Sequence, residues 1–138
     1  MVSKIFDPTI GALNTSLNLR QVNHNVISSN IANQDTPGYK AKEVEFESAF
    51  REALGADSRT DLVRTDDRHI APSPSTPVYP EIYEVPNDVY SLDGNTVNAA
   101  EEQEKLAENS MMYETSIELL KKKLGMLKYA ISEGGGGR

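Results

Sequence analysis

Three stretches of the chain carry residue types that could do chemistry. Asp66, Asp67 and His69 lie close together in LVRTDDRHIA, residues 62–71. Two carboxylates and an imidazole could hold a metal or share acid–base work, but these lack the spacing of a ligand set. The proline-rich segment that follows offers no framework to hold such a site. His24 lies at an apolar helical spacing with no second His, Cys or carboxylate four residues away, so it is expected to be packed or hydrogen-bonded rather than a ligand. The run Gly134 to Gly137 before Arg138 has no preceding strand and no following Lys-Ser or Lys-Thr, so it is a flexible tail and not a phosphate loop. The chain has no cysteine, which removes thiolate chemistry and disulfides. No catalytic, metal-ligating or cofactor-binding residue is therefore expected.

The most informative stretch is Ser29 to Lys40, SNIANQDTPGYK. It reads as a helix end followed by a prescribed turn. Asn33 can tolerate the left-handed conformation common past a helix end. Thr36 precedes a proline and is pushed out of helical space. Pro37 and Gly38 suit the central positions of a type II turn. The asparagine pair Asn30 and Asn33 around Ile31 and Ala32 has no such local explanation.

Two long helices flank this stretch and a middle segment. Residues from about Thr9 to Ile31 have helical spacing, with Ile10, Leu13, Leu17, Ile27 and Ile31 on one face and Leu19, Val22 and Val26 on the other. Asn98 to about Ser132 is the stronger signal. Asn98 with Glu101 three residues on fits an N-cap, and Glu101, Glu102 and Glu104 suit the positive end of the helix dipole. Leu106, Ser110, Tyr113, Ile117, Leu120, Leu124, Leu127 and Ile131 form a heptad seam, with Met112, Leu119 and Met126 in a second apolar row. Two apolar faces on each helix imply one seam within the subunit and one surface for a neighbouring subunit. The intrasubunit seam is assigned to Leu13, Leu17, Ile27, Ile31, Leu106, Tyr113, Ile117, Leu120, Leu124, Leu127 and Ile131. The subunit interface is assigned to Leu19, Val22, Val26, Met112, Leu119 and Met126.

Between the helices, Val44, Phe46, Phe50 and Leu54 suggest a short amphipathic helix near 46–54, with Glu47 and Arg51 paired on its wet side. Pro72, Pro74, Pro77, Pro80 and Pro86 favour extended chain, with Tyr79, Ile82, Tyr83, Val85, Val89 and Tyr90 as possible anchors against neighbours. The expected fold is mainly α: N- and C-terminal helices paired as an antiparallel coiled-coil-like hairpin around an irregular, Pro-rich, partly extended or disordered middle. The chain divides into 1–40, 41–97 and 98–138.

At 138 residues the chain allows one domain at most. Hydrophobic residues make up 38%, with three Phe and no Trp, so a self-sufficient core is doubtful and burial between subunits is the expected source of stability. The net charge of −7 argues against nucleic acid as a partner. The N-terminal residues lack an apolar run of signal-peptide length, and no stretch is long and apolar enough to span a bilayer.

The run Ser29, Asn30, Ile31, Ala32, Asn33, a two-residue spacer, then Thr36, Pro37, Gly38, Tyr39 closely resembles the N-terminal motif of bacterial flagellar axial proteins. The TDDRH stretch, DGNTV at 93–97, LAENS, and IELLKKKLGMLKYAISEG narrow the resemblance to the flagellar basal-body rod proteins, in particular the proximal rod type. In that family the TDDRH stretch is not catalytic. The resemblance implies a structural subunit of the periplasmic rod that polymerises into a helical tube, transmits torque and surrounds the export channel. It implies export by the flagellar type III apparatus without a cleaved signal. The implied partners are further copies, FlgC-type rod proteins, the adaptor FliE and the export gate. The competing reading is a cytoplasmic coiled-coil adaptor or export chaperone, which shares the heptad seam but leaves the SNIAN-to-TPGY run unexplained.

Overall fold

The computed structural model describes residues 8–54, 79–86 and 92–134. Helix α1, Pro8–Ala32, opens on a proline, whose fixed φ and missing N–H suit a first helical position. It is followed by strand β1, Lys42–Val44, and helix α2, Phe46–Ala53. Strand β2, Ile82–Glu84, and helix α3, Ala99–Gly134, complete the described elements. Asn98 caps α3 as its sequence suggests: its Oδ1 accepts from the Ala100 N–H at 3.2 Å and the Glu101 N–H at 3.5 Å. The helix continues through Gly134, so the first glycine of the tail is helical.

Part of the proline-rich segment forms a strand. β2 pairs antiparallel with β1, with Glu43 opposite Tyr83 and Val44 opposite Ile82. The Val85 N–H donates to Ala41 O at 2.8 Å and the Glu45 N–H to Glu81 O at 2.9 Å, which extends the ladder at both ends. Pro80 and Pro86 lie just outside the strand, where a missing N–H does no harm.

α1 packs on α3, β1 and α2. Its buried face is not the one that apolar spacing suggests. Leu19 and Ile27, assigned to opposite faces, are the two buried apolar residues of α1, at 2% and 3% exposure. Leu19 therefore belongs to the subunit's own core and not to an outward surface. The centre of the buried stripe is polar. Asn30 is fully buried, and Asn23, seven residues earlier, is half-buried. α3 behaves in the same way: among its described side chains the buried ones are Glu102, Asn109 and Ser116, again seven apart. Leu106, Tyr113, Ile117, Leu120 and Leu127 are half-buried beside them, as are Leu13, Leu17 and Ile31 on α1. His24 is exposed, so of the expected packed or hydrogen-bonded roles packing does not hold.

The polar residues meet in register. Asn30 Nδ2 donates to Glu102 Oε2 at 2.9 Å, and one heptad away Asn23 Nδ2 donates to Asn109 Oδ1 at 3.4 Å. Asn109 Nδ2 also donates to the Arg20 carbonyl at 3.0 Å. Leu124 and Ile131, assigned to the seam, are exposed, Ile131 at 69%. They lie in the last turns of α3, beyond the stretch whose polar residues pair with α1. Next to this seam, α2 brings Phe46 against Arg20, with the guanidinium carbon 5.0 Å from the ring centroid. Phe46 and Phe50 stack at 5.9 Å. Among the described residues the buried apolar side chains are only Leu19, Ile27, Ala41 and Ala49, a very small core for a chain of this length.

Candidate functional site

The site begins where α1 ends. The Asn33 N–H donates to the Ser29 and Asn30 carbonyls at 3.2 and 3.1 Å, and its Nδ2 donates to Ser29 O at 2.8 Å. Asn33 thus satisfies the helix end with its side chain. No non-glycine residue among those described has positive φ, so the left-handed conformation expected of Asn33 is absent. Thr36 Oγ1 donates to Asn33 Oδ1 at 3.2 Å, and the Tyr39 N–H closes the turn on Thr36 O at 3.2 Å. Gly38, at the third turn position, has φ +73°, as a type II turn requires.

Asn30 joins three elements. Its Oδ1 accepts from the Lys42 N–H at 3.0 Å while its Nδ2 donates to Lys42 O at 2.8 Å. The carboxamide therefore binds β1 as a neighbouring strand would. The same Nδ2 reaches Glu102 on α3, and Tyr39 Oη donates to Oδ1 at 3.3 Å. A side chain with two donors and an acceptor of two lone pairs is fully used.

The segment 93–97 grips the turn from the other side. Asn95, 7% exposed, donates through Nδ2 to the carbonyls of Asn33, Gln34 and Thr36 at 3.0, 2.8 and 2.9 Å. Its Oδ1 accepts from the Val97 N–H at 2.8 Å. The Gly38 N–H donates to Asp93 O at 2.9 Å, the Thr96 N–H to Tyr39 O at 3.1 Å, and the Ala41 N–H to Thr96 Oγ1 at 2.8 Å. Lys40 Nζ donates to Gly94 O at 3.0 Å. Gly94 also has φ +73°, and its Cβ position lies 3.7 Å from Gly38 Cα, so the two glycines face each other at the crossing. Two segments about sixty residues apart are thus clasped by side-chain amides and backbone groups together.

A charged cluster ties the sheet to α3. Lys105 Nζ lies 2.6 Å from Glu43 Oε1, 3.2 Å from Glu101 and 3.4 Å from Glu102. Burial pulls the ammonium down, but hydrogen bonds to Glu43 and Glu101 and the nearby carboxylate charges outweigh it and hold Lys105 above the usual lysine value. The Lys105 hydrogen bond holds Glu43 below the usual carboxylate range against partial burial, with Tyr83 Oη donating at 2.9 Å. That bond to a carboxylate raises the Tyr83 phenol. Burial lowers Arg20, against the charge of Glu108.

None of this has the form of a reaction centre. Among the described residues no group of three His, Cys, Asp or Glu could hold a metal. No described helix is long and apolar enough to cross a membrane. Asp66, Asp67 and His69 lie outside the described residues, as do Gly135 to Arg138. Of the interface residues assigned from sequence, Val22 and Val26 are half-buried, and Met112, Leu119 and Met126 are exposed at 43%, 49% and 60%. Asn95, Thr96, Glu43 and Lys105 were not legible as a unit. The one available signal for the seam was polar residues recurring every seventh position.

The site is thus a helix end, a Pro-Gly turn and a return segment locked by buried asparagines. The family model described as "Flagella basal body rod protein" matches residues 12–40, which cover most of α1 and the turn. The chain is 36% identical to the flagellar basal body rod protein FlgB of Aeromonas hydrophila over 124 residues, 89% of this chain and 92% of that protein. It is 39% identical to FlgB of Escherichia coli K12 over 110 residues, 76% and 79% of the two chains. It is 33% identical to FlgB of Bacillus subtilis over 130 residues, 94% and 98%. The chain belongs to the FlgB family of flagellar basal body rod proteins.

Proposed function

We propose that the chain is a structural, non-enzymatic subunit of the flagellar basal-body rod that polymerises into the proximal part of the tube. The observation that carries this reading is similarity to FlgB proteins along almost the whole chain. The terminal helices pair as an antiparallel hairpin. The order of the hydrogen bonds supports this, Asn30 with Glu102 and the earlier Asn23 with the later Asn109. The polar pairs give the hairpin a register, since buried polar groups are satisfied only when they meet. The clasp then fixes how the hairpin leads into the sheet and α2.

Val22 and Val26 on α1 and Met112, Leu119 and Met126 on α3 form the contact surface for neighbouring subunits. Leu19 leaves that set because its side chain is already covered. A small internal core and exposed apolar rows favour folding coupled to assembly. A contact repeated by one rotation and rise builds an open helix of subunits. FlgC-type rod proteins, FliE and the export gate are the further neighbours this role implies, and export without a cleaved signal is the implied route. Met126→Asp, introduced in place of the wild-type gene, should leave the chain exported but block rod assembly and motility. Normal rods in that variant would overturn the proposed surface.

A further inference from the structure

Among the described residues, the strand pair and the last turns of α3 carry opposite charge, and each has an apolar feature that the other could cover. At one end, β2 lies beside the outer face of α1 and forms a groove of about 550 Å³ lined by Val22, Val26, Ser29, Lys42, Ile82 and Tyr83 among others. Ile82 and Tyr83 are exposed. The strands and their flanks, 41–45 and 81–85, hold Glu43, Glu45, Glu81 and Glu84 against Lys42 alone. Glu43 is engaged by Lys105, whereas Glu45, Glu81 and Glu84 are exposed. At the other end, residues 118–133 of α3 hold Lys121, Lys122, Lys123 and Lys128 against Glu118 and Glu133, a balance of the opposite sign. Leu119, Lys122 and Met126 recur there at spacings of three and four, so they share one helical face. The groove has room for several side chains but not for a whole helix, which suits a helix laid across it with that row inserted.

We infer that this groove receives the Leu119–Lys122–Met126 face of α3 from a second copy of the chain, with Lys122 set against Glu81 and Glu84. The inference rests on the proposed self-assembly and names the two surfaces that meet. The contact is heterologous, acidic end to basic end, so it repeats without closing and builds a filament of subunits. Charge complementarity chooses between orientations: two grooves face to face would bring like charges together, as would two α3 ends. The apolar row supplies the buried area, and the lysines supply the direction of docking.

The absence of native cysteine makes the test direct. Tyr83→Cys and Met126→Cys variants of the full chain are co-expressed with different tags in cells lacking the native gene, and basal bodies are isolated and oxidised. The expected product is a disulfide-linked dimer containing one of each tag. Variants expressed singly should give none. A Tyr83→Cys homodimer, or no cross-link although both variants are present in the basal bodies, overturns this inference and leaves the rod-subunit reading intact. If wild-type chain is absent from isolated basal bodies, the rod-subunit reading falls and this inference with it. A charge swap guards against a misplaced cysteine. Lys122→Glu should lower incorporation into basal bodies by roughly two- to fivefold, the scale of an exposed ion pair. Co-expressed Glu81→Lys/Glu84→Lys chain should recover it. Lys122→Glu chain incorporated as well as wild type overturns the pairing.

Discussion

Replacing Asn30 with alanine should nearly abolish the folded subunit, although the residue carries no charge and no catalytic role. The side chain has 0% exposure and makes four hydrogen bonds, two to the Lys42 backbone, one to Glu102 and one from Tyr39. Loss of the two backbone bonds costs about 1 kcal/mol each, and leaving the Glu102 carboxylate with a weaker partner costs about 1.5–3 kcal/mol more. A total of roughly 3–5 kcal/mol is a large part of the stability of any small domain, typically about 5–15 kcal/mol. With only four buried apolar side chains among the described residues, this chain has little to spare. Asn30→Asp separates the polar argument from simple packing. It sets a second carboxylate beside Glu102, and two like charges so close cannot both stay ionised. Its deficit should exceed that of a neutral isostere. Urea denaturation followed by the helical circular dichroism signal reads both variants. An Asn30→Ala chain within about 0.5 kcal/mol of wild type would refute the reasoning, since only surface changes are normally so mild.

Three further outcomes follow from the same geometry. Asn95→Ala removes the donor shared by three carbonyls, so the Gly38 amide should exchange with solvent about tenfold faster or more, the equivalent of roughly one hydrogen bond; unchanged exchange would show the clasp to be unnecessary. Gly38→Val forces a β-branched residue to a φ of +73°, which should destabilise the turn by at least about 1–2 kcal/mol and impair motility; wild-type swimming would count against it. The folded-state pKa of Glu43 is depressed, so its contribution is present above the unfolded carboxylate value and is lost as pH falls through the folded one. Lys105 is raised, so its contribution holds below the ordinary lysine value and fails only in strong alkali, and the acid side is the sensitive one. Lys105→Met should therefore shift the acid unfolding midpoint upward, and the shift should shrink in high salt because the pair is about one-third exposed. An unmoved acid midpoint would remove the pair from the account.

The elements that obey local rules were legible in the sequence. The Asn98 cap, the short amphipathic helix at Phe46–Ala53 and the Pro37-Gly38 turn each declare themselves through chemistry that acts within a few residues. The buried face of α1 was not, because its centre is polar. Apolar spacing split Leu19 from Ile27, whereas both flank the line of Asn23 and Asn30. A buried asparagine reads as a surface residue until its partner is known, and the partners Glu102 and Asn109 lie more than seventy residues away. Strand β2 was hidden for a related reason. Three residues between prolines carry no period of their own, and pairing with β1 is set by tertiary context. The motif from Ser29 to Tyr39 was conspicuous as a pattern, while its physical role became clear only with Asn95 on the other side of the turn.

On the proposed function, the helices of this subunit complete their folding on neighbouring subunits. Circular dichroism and analytical ultracentrifugation of the purified full chain over one concentration series test it most directly. The account predicts a partly helical monomer at low concentration whose helix content rises together with its sedimentation coefficient as it associates. A chain that is fully helical at the lowest concentration, whether as a monomer or as a dimer or tetramer of fixed size, would contradict it.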